Sequence, residues 1–442
     1  MSNDHRPSRI AKNERQILAR VGPWPVLTPA DPGSGFHIAA VGPSGTFKTS
    51  AMIIPACYWH TDGPLVVTST KPDILDQIWK VRLLFGNVHV LDLRREPGAI
   101  PYRCHSIRWS LARKCRNYDT ATDRSRDVVE TMHRAGGTDS AFWSARGIDV
   151  LAPALMAANI AGMGLEKMTQ SLRTSDMRDL VQVLQGSNEP HSSEAASTLQ
   201  QIVAADPRHR GDAVATALSS LSALRGSRLK ALAGVKDDEW DPEAFVTSRD
   251  TVVIIAPLDE SASLAPLVVG FLGELHSAIR KEADKRGGRL PHRLLFALDE
   301  CCSIAPWPLL PRLTAEIGSK NVTLMLACQS WSQMRERFGS ENAATIWTNC
   351  RYRVVHSESD HEQLRLLESL AGTTVRETAG QGDRGGQSRD VPAISASQFA
   401  HTRKGHVWVF GPDGVRLRSS ASWWRIGALR RLVRYAKKFV VV

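Results

Sequence analysis

Seven short apolar runs without polar alternation constrain the fold of this chain most strongly. A strand buried on both faces has this pattern, whereas a half-exposed strand alternates apolar and polar residues. The runs lie at 36–42, 64–70, 87–93, 251–257, 293–299, 322–328 and 352–357. Helical segments separate most of them, so the β-α-β order predicts a mostly parallel sheet with right-handed crossovers.

The stretch between the third and fourth runs has a different pattern. From His105 to Trp240 it reads as one helical segment after another, for example SSEAASTLQQIVAA. We therefore predict an α/β domain formed by residues 35–104 and 246–424 and split by an all-α inserted domain at 105–245. Residues 1–34 are expected to form a flexible arm ending in a Pro/Gly-rich loop, and GQGDRGGQS at 380–388 a flexible loop.

The charge balance indicates a polyanionic partner. The 442 residues include 56 Lys and Arg against 45 Asp and Glu, which is a formal net charge of +11. Residues 425–442 are predicted to form a basic amphipathic tail. Such a tail either binds phosphates or an anionic membrane surface, or packs its apolar side on the domain. A second basic cluster stands at the start of the insert and consists of Arg103, Arg108, Arg113, Lys114 and Arg116.

The sequence favours a cytoplasmic location. No apolar signal-peptide core follows the first residue, and the seven cysteines are scattered, which suits a reducing compartment. The most apolar long stretch, 148–165, contains Asp149, Pro153 and Asn159. We interpret it as a buried helix and predict no transmembrane segment.

The first apolar run leads into an octet that matches the phosphate-binding pattern G-x-x-x-x-G-K-[ST] at all positions but one. The octet, called the phosphate loop below, is Gly42, Pro43, Ser44, Gly45, Thr46, Phe47, Lys48 and Thr49. Its backbone N–H groups would surround a β-phosphate at a helix N-terminus. Lys48 is expected to reach the β- and γ-phosphates, and the Thr49 hydroxyl to bind Mg²⁺.

One position of the phosphate loop departs from the pattern. Phe47 stands where the pattern has a glycine, which usually adopts a positive φ. A bulky residue in that conformation costs about 1–3 kcal/mol. The alternative interpretation of the octet is an ordinary strand–turn–helix with a solvated Lys48.

Polar residues also end two later apolar runs. Asp299 is expected to lie in the Mg²⁺ shell, and Glu300 to orient and deprotonate the attacking water. The next run ends at Gln329, where a polar residue can sense the γ-phosphate. The alternatives are a helix N-cap for Asp299 and an ordinary loop position for Gln329. These residues together predict ATP and Mg²⁺ as cofactors, with Lys48, Glu300 and Gln329 catalytic.

From about Gly35 to Trp424 the chain resembles the TraG/TraD-like coupling proteins of type IV secretion. The matching stretches include VGPSGTFKTSAMIIP, PLVVTSTKPDIL, DSAFWSARGIDVLAPALMAAN, NCRYRVVHSESDHEQLRLLESLAGTTV and the segment from LLFALDE to QSWSQMRERFG. The resemblance implies a RecA-like P-loop NTPase that forms a homohexamer with ATP between subunits. Such a motor receives a relaxase on single-stranded DNA and drives the DNA towards the secretion channel.

The resemblance also assigns roles by position. Lys48 and Thr49 match the family's phosphate-loop pair, Asp299 and Glu300 its metal and water residues, and Gln329 its polar sensor. Most family members begin with transmembrane helices, so membrane attachment is expected here through a partner or the basic tail.

A further departure concerns an arginine that, in the family, acts across the subunit interface. The family usually has an arginine after the residue corresponding to Gly318, where this chain has Ser319. Lys320 or Arg312 are the candidate replacements, although neither copies the guanidinium in its usual place.

These observations support two main hypotheses. The first is an ATP-driven DNA translocase that delivers single-stranded DNA and its relaxase to a type IV secretion channel during conjugation. The second is a hydrolysis-deficient adaptor on the same fold, which binds nucleotide or DNA and recruits substrate to another motor. A third, a DNA-packaging or partitioning ATPase, is disfavoured by the Phe142-Trp143 segment and the sequence after Gln329.

Overall fold

A computed structural model describes residues 17–21, 24–27, 36–132, 138–224, 240–378 and 387–440. The strands of this part are β1 (Ile17–Val21), β2 (Trp24–Leu27), β3 (Ile38–Val41), β4 (Leu65–Ser69), β5 (Val88–Asp92), β6 (Cys104–Ser106), β7 (Thr251–Ile255), β8 (Leu294–Leu298), β9 (Val322–Cys328), β10 (Tyr352–Val355), β11 (Thr373–Thr378), β12 (Gln387–Pro392), β13 (His406–Gly411) and β14 (Gly414–Ser419).

The α-helices of the same part follow in chain order. They are α1 (Ile54–Trp59), α2 (Asp73–Arg82), α3 (Tyr118–Met132), α4 (Thr138–Ile160), α5 (Leu165–Arg173), α6 (Arg178–Gln185), α7 (Ser192–Ala204), α8 (Pro207–Ser220), α9 (Pro242–Val246), α10 (Ser261–Asp284), α11 (Cys301–Ile304), α12 (Leu310–Glu316), α13 (Trp331–Phe338), α14 (Ser340–Asn349), α15 (His361–Ala371), α16 (Ala396–Ala400) and α17 (Gly427–Phe439). A π-helical turn, Thr49–Ile53, leads directly into α1.

Twelve strands form one sheet in the order β2-β1-β14-β13-β10-β3-β9-β8-β4-β7-β5-β6. The strands from β10 to β6 in this order are parallel. The other four continue the sheet antiparallel, and β11 pairs with β12 in a separate hairpin. The prediction of a mostly parallel central sheet is confirmed.

The parallel strands are buried on both faces because alternate residues enter two different cores. Ile38 and Ala40 of β3 pack in the core that contains α1, α2 and α17. Ala39 and Val41 pack in the core formed with the inserted helices and α10. Strands β4, β7, β8 and β9 are likewise buried at every position. This two-sided burial is why the seven runs are mostly apolar.

The inserted segment is joined to the α/β domain through a buried ion cluster. Glu274 of α10 accepts hydrogen bonds from Trp109 Nε1 at 2.6 Å and Arg113 Nη1 at 2.7 Å, and Arg124 Nη2 lies 3.7 Å from it. Lys114 Nζ lies 2.6 Å from a carboxylate oxygen of Glu243. Arg113 therefore anchors the insert to α10, whereas the partly exposed Lys114 pairs within the predicted insert.

The predicted flexible arm is wrong at residues 17–21 and 24–27, where β1 and β2 extend the sheet. Ile17, Leu18 and Ala19 are buried, and Arg20 Nε donates a hydrogen bond of 2.9 Å to the Ser420 carbonyl. Residues 1–16, 22–23 and 28–35 lie outside the described residues. The predicted loop at 380–388 also lies outside them, except for its last two residues, which belong to β12.

One helical segment of the described chain, Leu258–Asp284, is long and apolar enough to cross a membrane. It contains α10, and 83% of its most apolar window is buried inside the protein. The burial of this segment and the hydrogen bonds of Glu274 are typical of a core helix in a globular protein. The apolar stretch at 148–165 contributes the buried second half of α4.

Candidate nucleotide site

Three neighbouring parallel strands bring the predicted site residues to one edge of the sheet. β9 pairs with β3 on one side and with β8 on the other. The phosphate loop follows β3, Gln329 follows β9, and Asp299 follows β8. Ligands of open α/β sheets bind outside the carboxyl ends of the strands, so this edge is the expected site.

Phe47 preserves the backbone shape that the missing glycine would have. Its φ is 67°, in the left-handed region, and Gly45 has a φ of 79°. The phenyl ring is 38% exposed, and Lys404 Nζ lies 5.2 Å from its centroid. This cation–π contact offsets part of the strain of about 1–3 kcal/mol that such a φ costs a bulky residue.

Lys48 is turned into the phosphate loop. Its side chain is buried, and its ammonium donates to the Gly42 carbonyl and, at 3.1 Å, to the Pro43 carbonyl. The interpretation of a solvated lysine is therefore wrong. Its two hydrogen-bond acceptors are neutral carbonyls, so the buried ammonium can exchange them for an anion such as a phosphate group.

His356, which sequence reasoning missed, supports the base of the phosphate loop. It follows β10, the other neighbour of β3, and a Cβ on Gly42 would lie 2.7 Å from the His356 Cβ. Burial, and then the nearby Lys48, lower the pKa of His356 to about 4, so its ring is neutral at neutral pH. A single histidine after a strand carries no specific sequence signal.

Thr49 and Asp299 meet directly. The Thr49 hydroxyl donates to Asp299 Oδ2 at 2.7 Å, and Thr68 Oγ1 donates to the Asp299 carbonyl at 2.8 Å. Burial, helped by the neighbouring Glu300, raises the pKa of Asp299 to about 6, although its bond to Thr49 lowers it. A hydroxyl beside a buried carboxylate is a donor set that fits Mg²⁺, because this cation prefers hard oxygen ligands.

Glu300 and Gln329 also meet, one step further along this edge. Gln329 Nε2 donates to Glu300 Oε2 at 3.1 Å, and Glu300 adopts a left-handed φ of 50°. Glu300, rather than Asp299, occupies the N-cap position of α11, so the N-cap interpretation of Asp299 is wrong. The structure thus brings together all the strand-end residues that the sequence predicted for the site.

Two further polar residues of this edge were missed. Gln333 Oε1 accepts a hydrogen bond from Gln329 N at 3.1 Å, and Gln333 Nε2 donates to Ser303 Oγ at 2.9 Å. The spacing of four residues between Gln329 and Gln333, at the start of a helix, was the available signal.

The candidate replacements for the trans-acting arginine lie in different environments. Ser319 Oγ donates to the Glu316 carbonyl at 2.7 Å, and Lys320 Nζ lies 3.8 Å from Asp284 Oδ1 in the same chain. Arg312, on α12, is exposed. Of the two candidates, Arg312 has the more exposed side chain.

Part of the chain is similar to a known protein family. Residues 293–405 match the family described as the TraM recognition site of TraD and TraG. The conjugal transfer protein TraG of Escherichia coli is 26% identical over 130 residues, which are 28% of this chain. That match spans only 20% of the length of TraG.

Solved structures of the bacterial conjugative coupling protein TrwB share the fold. The unbound form of TrwB lacking its first 70 residues has a TM-score of 0.65 at 16% identity, over 87% of this chain and 84% of that one. TrwB with the ATP analogue ADPNP has a TM-score of 0.64 at 17% identity, over 87% and 85%. TrwB with ADP and Mg²⁺ has a TM-score of 0.63 at 16% identity, over 87% and 85%. The RecA-like P-loop NTPase fold and the predicted resemblance to coupling proteins are confirmed.

Proposed function

We infer, from the resemblance of this chain to the coupling proteins of type IV secretion, that it is an ATPase that moves DNA. The observation that carries the proposal is the contact between Thr49 and Asp299. It brings the phosphate loop and the acidic strand end together, which is the arrangement that P-loop ATPases use to hold MgATP.

Each site residue has a chemical role in this proposal. Lys48 would exchange its carbonyl partners for β- and γ-phosphate oxygens, and Thr49 and Asp299 would hold Mg²⁺, which supplies positive charge against the phosphates. Glu300 orients the attacking water and accepts its proton. Gln329, whose side-chain amide donates to Glu300, can donate to a γ-phosphate oxygen instead.

The proposed substrate is single-stranded DNA delivered with a relaxase to the channel components of a type IV secretion system. The net charge of +11 favours a polyanion. A pump must tolerate any sequence, so it should contact phosphates and lose affinity steeply with salt. A homohexamer with nucleotide between subunits completes the proposal, and the exposed Arg312 is the candidate arginine that acts across the interface.

The alternative is a hydrolysis-deficient adaptor that binds nucleotide or DNA and recruits substrate to another motor. Ser319 favours it, because no arginine stands at the family's position. Phe47 favours it less, since the phosphate loop keeps a left-handed backbone there.

Turnover of the purified protein, measured with and without single-stranded DNA, tests the proposal. We expect MgATP hydrolysis that DNA stimulates by about threefold or more. Nucleotide binding with no turnover under either condition would favour the adaptor. Failure to bind either nucleotide or single-stranded DNA would exclude both functions.

Helix α17 has one buried apolar face and one exposed basic face, which supports a proposal about the protein's location in the cell. Its apolar residues Leu429, Leu432, Val433 and Ala436 pack in the core with α1 and α2, so the packing interpretation of the tail is supported. The same helix carries five exposed basic residues, namely Arg430, Arg431, Arg434, Lys437 and Lys438. Phe439 and Trp424 beside them are 61% and 42% exposed. A convex cationic surface flanked by aromatic side chains fits an anionic membrane better than a DNA groove.

We therefore propose a cytoplasmic protein that this face of α17 recruits to the inner surface of the plasma membrane. The combined variant Arg431→Gln, Arg434→Gln and Lys438→Gln should lose binding to phosphatidylglycerol vesicles. The matched control neutralises three exposed cations of the insert, Lys167, Arg178 and Arg208. Loss of single-stranded DNA binding with vesicle binding intact would assign the face to DNA instead.

A further inference from the structure

Helix α13 physically links the Gln329 end of β9 to the all-α insert. Gln329 lies two residues before the helix, and Ser330 caps it by accepting a hydrogen bond from Gln333 N at 3.1 Å. Near its other end, Arg337 Nη2 donates to the carbonyl of Thr131, in the last turn of α3. Its eight residues span about 12 Å.

The first end of α13 is tied to the catalytic edge by a chain of side-chain hydrogen bonds. Gln333 Oε1 accepts from Gln329 N at 3.1 Å, while Gln333 Nε2 donates to Ser303 Oγ at 2.9 Å. Gln329 Nε2 donates to Glu300 Oε2 at 3.1 Å. Because Gln333 binds both the end of β9 and α11, a displacement of Gln329 is passed to the first turn of α13.

The junction between α13 and α3 has room for a displacement. A cavity of about 400 Å³ lies there, lined by Thr131, Ser303, Gln333 and Arg337 among others. Its lining is half polar in character, with hydroxyl, amide and guanidinium groups, so water can fill it as the helices shift. Close-packed cores resist such shifts, whereas a hydrated polar junction allows them.

We propose that Gln333 and Arg337 are positioning residues that transmit the nucleotide state of the site to the all-α insert. The proposal rests on the proposed function, since its input is the γ-phosphate. Gln329 has two alternative acceptors, Glu300 without the γ-phosphate and a phosphate oxygen with it. A ligand shifts a conformation only through such a difference in contacts. The exchange moves α13, and Arg337 carries the movement to the end of α3.

Arg335 provides a matched control on the same helix. It lies two residues before Arg337 but bonds on the other side, where Arg335 Nη2 donates to Asp360 Oδ2 at 2.8 Å and Nη1 donates to Glu362. Asp360 caps α15, which belongs to the α/β domain. Arg335→Ala and Arg337→Ala thus remove the same chemical group from α13, but only the second cuts the link to the insert.

Hydrogen exchange of the α3 amides, compared between the ATP analogue ADPNP and ADP, tests the proposal in the full-length protein. We expect a difference in wild type that Arg337→Ala reduces by about threefold or more, while ADPNP affinity stays within about twofold. Arg335→Ala should retain the difference, and Arg337→Lys should restore part of it. Gln333→Ala should reduce the difference as Arg337→Ala does.

The outcomes separate this proposal from the proposed function. If wild type binds ADPNP and hydrolyses ATP but α3 exchanges alike with both nucleotides, the transmission through α13 is wrong and the ATPase stands. The same holds if Arg335→Ala and Arg337→Ala lose the difference equally, because α13 would then act only as a structural support. If wild type binds no nucleotide, both proposals fail together.

Discussion

Thr49 donates a hydrogen bond of 2.7 Å to Asp299, a residue 250 positions later in the chain. The strands that precede them, β3 and β8, are not neighbours, because β9 lies between the two. The bond therefore passes across the end of β9, where Gln329 stands. This contact joins the end of the phosphate loop to the acidic strand end, where the proposed chemistry would take place.

Lys48→Ala should abolish nucleotide binding. The buried ammonium contacts only carbonyl oxygens of Gly42 and Pro43, so it is poised for a phosphate. We expect MgATP turnover to fall by at least about 100-fold, the usual cost of losing a preorganised electrostatic contact. Lys80→Ala is the control, since Lys80 lies over the Trp79 ring on α2. Wild-type turnover in Lys48→Ala would contradict the assignment of the site.

Glu300→Gln should separate binding from hydrolysis. Glutamine keeps the size of the side chain and can still accept the hydrogen bond from Gln329, but it cannot take a proton from water. Turnover should fall by about 100-fold or more, whereas ADPNP affinity should stay within about threefold. Glu341→Gln, at an exposed position of α14, is the control. An equal loss of affinity would mean that Glu300 acts in binding.

Phe47→Gly should change turnover by less than about threefold. The phenylalanine already adopts the left-handed φ of 67° that a glycine would take, so the phosphate loop has little shape to regain. Relief of strain is offset by the loss of the Lys404 contact. A tenfold rise in kcat, about 1.4 kcal/mol of barrier, would instead identify Phe47 as a brake on hydrolysis.

Gly42→Ala should damage the site through sterics. A Cβ would lie 2.7 Å from the His356 Cβ and 3.0 Å from Thr46 Oγ1, so the loop must shift. We expect a loss of about 1–3 kcal/mol in the free energy of unfolding, together with weaker nucleotide binding. Gly211→Ala, in the open middle of α8, should instead raise the free energy of unfolding by about 0.5–1 kcal/mol. Thermal denaturation of the two variants and of wild type measures these opposite changes in stability.

Asp127 should make the stability of the protein depend on pH. Burial raises the pKa of this carboxyl to about 7, against a partial opposing effect of its hydrogen bond from Trp307 Nε1. The folded state therefore binds the proton more tightly than the unfolded state does. Its stabilising contribution is complete below the unfolded pKa near 4 and is lost as pH rises towards 7.

Asp127→Asn removes this titration and can still accept the hydrogen bond from Trp307. We expect the variant to gain stability over wild type with rising pH, by roughly 2 kcal/mol more at about pH 8 than at about pH 5.5. Urea denaturation at both pH values measures the difference. A gain that is the same at both would show that the carboxyl is ionised throughout.

Several features of the fold could be predicted because they leave a local mark on the sequence. A strand buried on both faces is mostly apolar, so β3, β4, β7, β8 and β9 were recognisable from their composition alone. A phosphate loop needs its lysine and threonine in a fixed spacing after such a strand, which marked Lys48 and Thr49. Asp299, Glu300 and Gln329 could be predicted as site residues because they come directly after buried strands, whose carboxyl ends meet at one edge of the sheet.

Other features depend on which segments meet in space, and no local pattern records that. β1 joins the sheet by pairing with β14, about four hundred residues later, and its five residues are too few to show a period. Arg113 looked like a surface cation until Glu274 was found beside it in the interior. The roles of Gln333 and His356 likewise come from packing between distant elements. The sequence alone therefore determined which strands are buried and which side chains can do chemistry. Only the tertiary structure decided which charges are neutralised and which helix connects the site to the insert, because those outcomes depend on non-local contacts.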